Sequence, residues 1–178
     1  MIDRHDHEFT AFVTDRSRAL LRSAYALTGD QYAAEDLVQT ALAKVYARWP
    51  RLSDDPEHYV RKIIYHDFVS IWRRRRRRGE VVLAEPPERW APDDLNGSEL
   101  RLVLGEALDT LPPRQRAVIV LRYLEDYSLL QTAAVLGCST GTVASQANRA
   151  LAKLRELIPA IDAAHLAPTE TSRRWEAS

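Results

Sequence analysis

Residues 79–97 separate two long runs of helically spaced apolar side chains and fit into neither. They hold Pro86, Pro87, Pro92 and the turn pair Asn96-Gly97, together with Glu80, Glu85, Glu88, Asp93 and Asp94. The prolines remove backbone donors and fix φ, and the acids repel one another, so no regular element is expected there. A loop of that length inside one compact body would be unusual, so the chain is expected to form two units on a flexible acidic linker. The expected boundaries are 8–78, the linker 79–97, then 98–158. Residues 159–178, with Pro168 and several Ser and Thr, read as a tail.

Helical spacing dominates on both sides. Phe9, Phe12, Val13, Leu20, Ala24 and Leu27 share one face, with Gly29 placed to end that helix. Ala34, Leu37, Val38, Ala41, Val45 and Trp49 form a second stripe, stopped by Pro50. Asp55 as N-cap and Pro56 at the first helical position open a third helix. Its buried face is expected to be Val60, Ile63, Ile64, Phe68 and Ile71, and its outer face Arg61, Lys62, Tyr65, His66, Ser70 and Arg73.

Beyond the linker, Ser98 is a suitable N-cap for a helix carrying Leu100, Val103, Leu104, Ala107, Leu108 and Leu111 on one side. Pro112-Pro113 forces a corner. Ala117, Val118, Leu121 and Leu124 make the next helix, and Ser128 caps a short one through Leu136. Gly137 permits a left-handed turn, and Ser139 or Thr140 caps the last helix. Its core face is expected to be Val143, Ala147, Ala150, Leu154 and Leu157 or Ile158, with Pro159 ending it. No segment alternates as a strand does, so the expected fold is all-α, two small helical domains.

Apolar residues make up 46% of the 178, enough for a core, which argues against wholesale disorder. No apolar run approaches the roughly 18 residues that span a bilayer, so no membrane insertion is expected. The N-terminus is charged, without a secretion segment. The single cysteine, Cys138, excludes an internal disulfide framework. A reducing, cytoplasmic compartment is the expectation. His5, Asp6 and His7 near the N-terminus read as solvated, so neither metal nor cofactor is expected. With no Walker loop, no His-Glu-x-x-His and no nucleophile elbow, no enzyme activity is expected either.

The formal net charge is zero, but the charges are segregated. In residues 59–78, eight cations (Arg61, Lys62 and the arginines at 73–78) oppose Asp67 alone, a net +7. Residues 79–109 carry eight acids against Arg89 and Arg101, a net −6. A basic helix end invites a polyanion. Six consecutive like charges repel one another, so an ordered helix through that run is not expected without a partner.

In the second unit, Ala133, Gly137 and Val143 have the small–glycine–apolar spacing of a DNA-binding helix-turn-helix. The last helix is then expected to expose Thr140, Gly141, Thr142, Ser145, Gln146, Asn148 and Arg149, side chains suited to base edges and phosphates, with Lys153 and Arg155 beyond. A helical hairpin with ordinary polar exposure has the same triplet.

Several motifs in order resemble extracytoplasmic-function (ECF) sigma factors of the sigma-70 class. The stretch Leu108-Asp109-Thr110-Leu111-Pro112-Pro113-Arg114-Gln115-Arg116-Ala117-Val118, then Leu121-Arg122-Tyr123, resembles region 4. So do Gly137, Gly141-Thr142-Val143, Ser145 and Arg149-Ala150-Leu151-Ala152-Lys153-Leu154-Arg155. Ala34-Glu35-Asp36-Leu37-Val38-Gln39 is similar to region 2.2. Tyr59-Val60-Arg61-Lys62-Ile63-Ile64 and Ser70-Ile71-Trp72-Arg73-Arg74 are similar to regions 2.3 and 2.4. Trp72 with the arginine run is closest to the actinobacterial SigE-like subgroup. The resemblance covers residues 9–158.

That resemblance implies core RNA polymerase and promoter DNA as partners, with an anti-sigma factor as regulator. It implies that Asp36 and Gln39 contact core polymerase. It implies that Arg61, Lys62, Tyr65, His66, Trp72, Arg73 and Arg74 serve the downstream (−10) element and its melting, combining stacking with phosphate attraction. Trp72 also reads as part of the core. Thr140, Gly141, Thr142, Ser145, Gln146, Arg149 and Lys153 would serve the upstream (−35) element. The chain departs from the family pattern in His66 where asparagine is usual, Ala144 in place of a common lysine, and Gln131 in place of glutamate. The alternative is a one-component helix-turn-helix regulator that binds its operator without polymerase.

Overall fold

The computed structural model describes residues 4–52, 55–78 and 99–157. The chain divides into two compact units, Met1–Arg89 and Trp90–Ser178. The linker and tail, with Ser98 and Ile158, lie outside the described residues. Every regular element among the described residues is helical.

In the first unit, α1 (Arg4–Thr28), α2 (Gln31–Tyr46) and α3 (Pro56–Arg77) pack on one another. Gly29 ends α1 at φ 69°, where a side chain would be strained. Asp30 caps α2, its Oδ1 accepting from the Ala33 N–H at 2.7 Å. So short a connection makes α1 and α2 antiparallel neighbours. Leu20, Ala24 and Leu27 of α1, Leu37, Val38, Ala41 and Val45 of α2, and Val60, Ile64 and Phe68 of α3 are buried. Asp55 opens α3 as expected, its Oδ1 accepting from the Glu57 N–H at 3.0 Å.

Two expectations for this unit are corrected. α2 stops at Tyr46, short of Trp49, which instead begins a 3-10 turn, Trp49–Arg51. Pro50 has no N–H with which to carry α2 onward, and the Trp49 indole meets Phe9 at 5.1 Å and Phe12 at 5.3 Å. α3, for its part, stays helical to Arg77, through most of the arginine run.

In the second unit, α4 (Glu99–Asp109) leads to α5 (Pro113–Ile119), which runs on as a π-helical stretch, Val120–Leu124. Then come α6 (Leu129–Leu136) and α7 (Thr140–Leu157). The π register shows in the Glu125 N–H to Val120 carbonyl bond at 3.0 Å. Its wider turn advances each residue by less than 100°, which buries Leu121 and Arg122 and turns Leu124 outward, against expectation. Leu104 and Leu157 are exposed as well, because α4 meets α7 through Ala107, Leu108 and Leu111, and Leu157 lies beyond the last packed turn. The α4–α5 corner is pinned by Arg116, whose guanidinium donates to the Asp109 carboxylate at 3.0 Å and the Asp109 carbonyl at 2.8 Å. Burial lowers the pKa of that guanidinium, and the Asp109 charge opposes the shift. Burial likewise raises the Tyr123 phenol, against the charges of Arg122 and Arg155.

Two apolar clusters hold α7. Its first half, Val143 and Ala147, packs with Val118 and Ala133. Its second half, Ala150, Leu151 and Leu154, packs with Ala107, Leu111 and Ile119.

Candidate nucleic-acid interface

The turn between α6 and α7 is built residue by residue. Ser128 and Gln131 form a reciprocal capping box at the start of α6: Ser128 Oγ accepts from the Gln131 N–H at 3.1 Å, and Gln131 Oε1 accepts from the Ser128 N–H at 2.8 Å. Glutamine thus does here what glutamate does in the usual box. Gly137 ends α6 at φ 64°, and the Cys138 N–H returns to the Ala133 carbonyl at 3.1 Å, closing a Schellman turn. Ser139, rather than Thr140, caps α7, its Oγ accepting from the Thr142 N–H at 3.1 Å. Ala133 and Val143 meet in the cluster beneath the turn. This is the local geometry of a helix-turn-helix.

On α7 the exposed residues at helical spacing are Gly141, Ser145, Asn148 and Ala152, flanked by Thr140, Arg149 and Arg155. Thr142 and Gln146 are half-buried at the edge of this face, and the Thr142 hydroxyl lies 2.9 Å from Ser139 Oγ, within the cap. Lys153 is placed differently from the expectation. It is half-buried, and its Nζ donates to the Thr110 carbonyl at 2.7 Å. A carbonyl left over at the end of α4 is a strong local acceptor for an ammonium group, and it takes the side chain away from the outer face.

In the first unit the basic helix sorts into two populations. Lys62, His66, Ser70, Arg73 and Arg77 are exposed on one side of α3, a stripe about 22 Å long at 1.5 Å per residue. Arg74, Arg75 and Arg78 are exposed too, since the helix runs past the packed body beyond Trp72. Arg61 and Tyr65, both expected on this outer face, are core residues at 6% and 0% exposure. α3 packs against α1 and α2 together, so its buried arc widens from Val60, Ile64 and Phe68 to take in the next positions round the helix. Arg61 tolerates burial because it is paired. It donates to Glu57 Oε1 from Nη2 at 2.7 Å and Nε at 3.2 Å, and to Ser23 Oγ at 3.3 Å, tying α3 to α1. Arg16 meets the other Glu57 oxygen at 3.3 Å. Neither Arg61 nor Tyr65 is presented to a strand lying on this surface. Trp72 is half-buried at the edge between the two populations.

A third face has different chemistry. Asp36 and Gln39 are both exposed on α2, in line with Tyr32 and Ala43. Lys44 beside them is engaged, its ammonium 2.5 Å from the Asp67 carboxylate on α3. The sequence reading did not single out Tyr32, the most exposed large apolar side chain among the described residues at 81%.

Among the described residues no three His, Cys, Asp or Glu side chains gather as a metal site, and no helix is long and apolar enough to cross a membrane.

Residues 12–78 match the family model for sigma-70 region 2, and residues 101–154 match that for sigma-70, region 4. The chain is 42% identical over 157 residues to a Streptomyces coelicolor protein named RNA polymerase sigma-E factor, covering 87% of this chain and 88% of that one. It is 33% identical over 153 residues to the ECF RNA polymerase sigma factor SigE of Mycolicibacterium smegmatis, 82% of this chain and 60% of that one. The sigma factor RpoE of Bartonella quintana, solved in complex with the anti-sigma factor NepR, aligns with a TM-score of 0.72 at 26% identity, over 87% of this chain and 99% of that one.

Proposed function

The chain belongs to the extracytoplasmic-function (ECF) sigma factors of the sigma-70 family, and we propose how its residues divide the work of starting transcription. It is a sigma factor, directing transcription initiation with core RNA polymerase at promoter DNA. Its relatives are named for that role and for no catalytic activity. In the proposed division, residues 8–78 dock on core polymerase and serve the downstream element, 79–97 are the tether, 98–158 read the upstream element, and 159–178 are a tail. Core polymerase carries out every bond-making step, and the chain works beside it in the cytoplasm.

The observation that carries this reading is the contrast between exposed faces. The outer stripe of α3 offers Lys62, His66, Arg73 and Arg77 with no acid among them, a surface for phosphates and opened strand. The outer face of α7 offers Gly141, Ser145, Asn148 and Arg149 above a locked turn, short polar groups that fit a major groove. The α2 face with Asp36 and Gln39 is neither basic nor wholly polar, and suits a protein. Two DNA-reading bodies on one tether raise each other's effective concentration at a promoter. A structural relative solved with an anti-sigma factor supports a partner of that class as regulator.

Run-off transcription with purified core RNA polymerase and candidate promoter templates tests the reading. Start-site-selective RNA that requires the chain is the expected result. Stable operator binding without polymerase, and no selective RNA with it, would instead establish a one-component regulator.

A further inference from the structure

The α2 face begins with a residue whose exposure nothing among the described residues explains. Tyr32 is 81% exposed, and its hydroxyl makes no hydrogen bond among the described residues. At 100° per residue, Tyr32, Asp36, Gln39 and Ala43 fall within about 60° of one another, and all four are exposed. A solvated helix face is normally lined with lysine and glutamate. This one carries an aromatic ring, a single acid, an amide and a methyl group. An exposed aromatic ring with few charges beside it is the composition of a protein-binding centre rather than of a solvated face. The sign of the charge points the same way: the lone carboxylate of Asp36 disfavours a phosphate backbone, whereas the cationic stripe of α3 attracts one. The Asp30 cap and the Gln31 to Glu35 hydrogen bond at 3.0 Å order the backbone of the first turn of α2, which carries Tyr32. Little further backbone ordering is needed on docking.

We propose that Tyr32 anchors the docking of this sigma factor on core RNA polymerase, its ring packing against an apolar recess of the enzyme at the head of the Asp36 and Gln39 stripe. This rests on the reading that the stripe is the polymerase contact. The ring supplies affinity by burying apolar surface, while Asp36 and Gln39 fix the register through hydrogen bonds.

The test measures affinity of the full chain for core RNA polymerase, by competition against a labelled wild-type chain, with thermal melting of each variant alongside. Tyr32→Ala is expected to weaken core binding about thirtyfold, the loss typical of an anchor residue, with an unchanged melting temperature. Tyr32→Phe is expected to bind within about threefold of wild type, since the ring rather than the hydroxyl carries the contact. If Tyr32→Ala binds within twofold while Asp36→Ala and Gln39→Ala bind weakly, the docking face stands and the anchor role is overturned. If all three variants bind as wild type, the docking face itself falls, and the anchor with it. A fall in the melting temperature of Tyr32→Ala would assign the ring to folding and likewise overturn the proposal.

Discussion

Replacing Gly141 by alanine is expected to stabilise the protein and weaken its grip on the upstream promoter element at once. Gly141 sits in the first turn of α7, exposed, and is not among the positive-φ glycines, so its backbone does not demand glycine. Among the described residues an added Cβ would meet only Ser139 Oγ, at 3.8 Å, an ordinary van der Waals distance. Nothing among the described residues excludes a side chain there. Glycine inside a helix costs up to about 1 kcal/mol relative to alanine, less in a first turn, so the substitution is worth several tenths of a kcal/mol. For a domain of this size that is a rise in melting temperature of roughly 2–5 °C. If α7 lies in a major groove at this point, as proposed, the new methyl group enters space the DNA occupies. Relieving that overlap is expected to cost about 1.4 kcal/mol, a tenfold loss of affinity. The measurements are thermal melting of the free chain and binding of the reconstituted polymerase complex to a promoter fragment. A lower melting temperature would refute the reading of open space around Gly141. A raised melting temperature with unchanged affinity would show that DNA does not approach α7 there.

Two further substitutions separate structural from DNA-contacting cations. Arg61→Ala removes the donor that Glu57 and Ser23 share at the α1–α3 contact, and is expected to destabilise the first unit by about 1–3 kcal/mol, less than the roughly 3–5 kcal/mol of a fully buried pair because Glu57 is partly exposed and keeps Arg16. A melting curve superimposable on wild type would contradict the core placement of Arg61. Arg149→Ala is expected to reduce the salt dependence of upstream-element binding, lowering the slope of log affinity against log salt by about 0.9, whereas Lys153→Ala should leave the slope intact and lower the melting temperature. Swapped outcomes would show that Lys153 leaves the Thr110 carbonyl for DNA.

Helix ends were legible wherever one residue's chemistry decides them. Gly29 and Gly137 adopt the left-handed backbone that glycine favours, Asp55 and Ser128 cap as their side chains allow, and the split into two units follows from the prolines at 86, 87 and 92. The width of a buried arc was not legible, because it depends on how many neighbours a helix has. Spacing alone puts Tyr65 and Arg61 on an outer face, whereas α3 leans on two helices and buries both. Leu124 was misplaced by a π register that has no periodic signal of its own. Lys153 was misplaced because its acceptor lies 43 residues earlier in the chain. Tyr32 escaped notice because periodicity reports what is buried, and a solvent-facing ring adds nothing to a core stripe. On the candidate faces, Asp36, Gln39, Lys62, His66, Gly141, Ser145 and Arg149 are exposed where simple helical geometry puts them.

The double bedding of α7 has a mechanical corollary. The first half of α7 is seated on α5 and α6, the second half on α4 and α5, with Lys153 as a latch at the far end. α4 is the first described element of this unit and touches only the second half of α7, whereas α5 underlies both halves. A disturbance at the head of α4 is therefore expected to reach the far end of α7 first, with the turn before α7 held in place by α5 and α6.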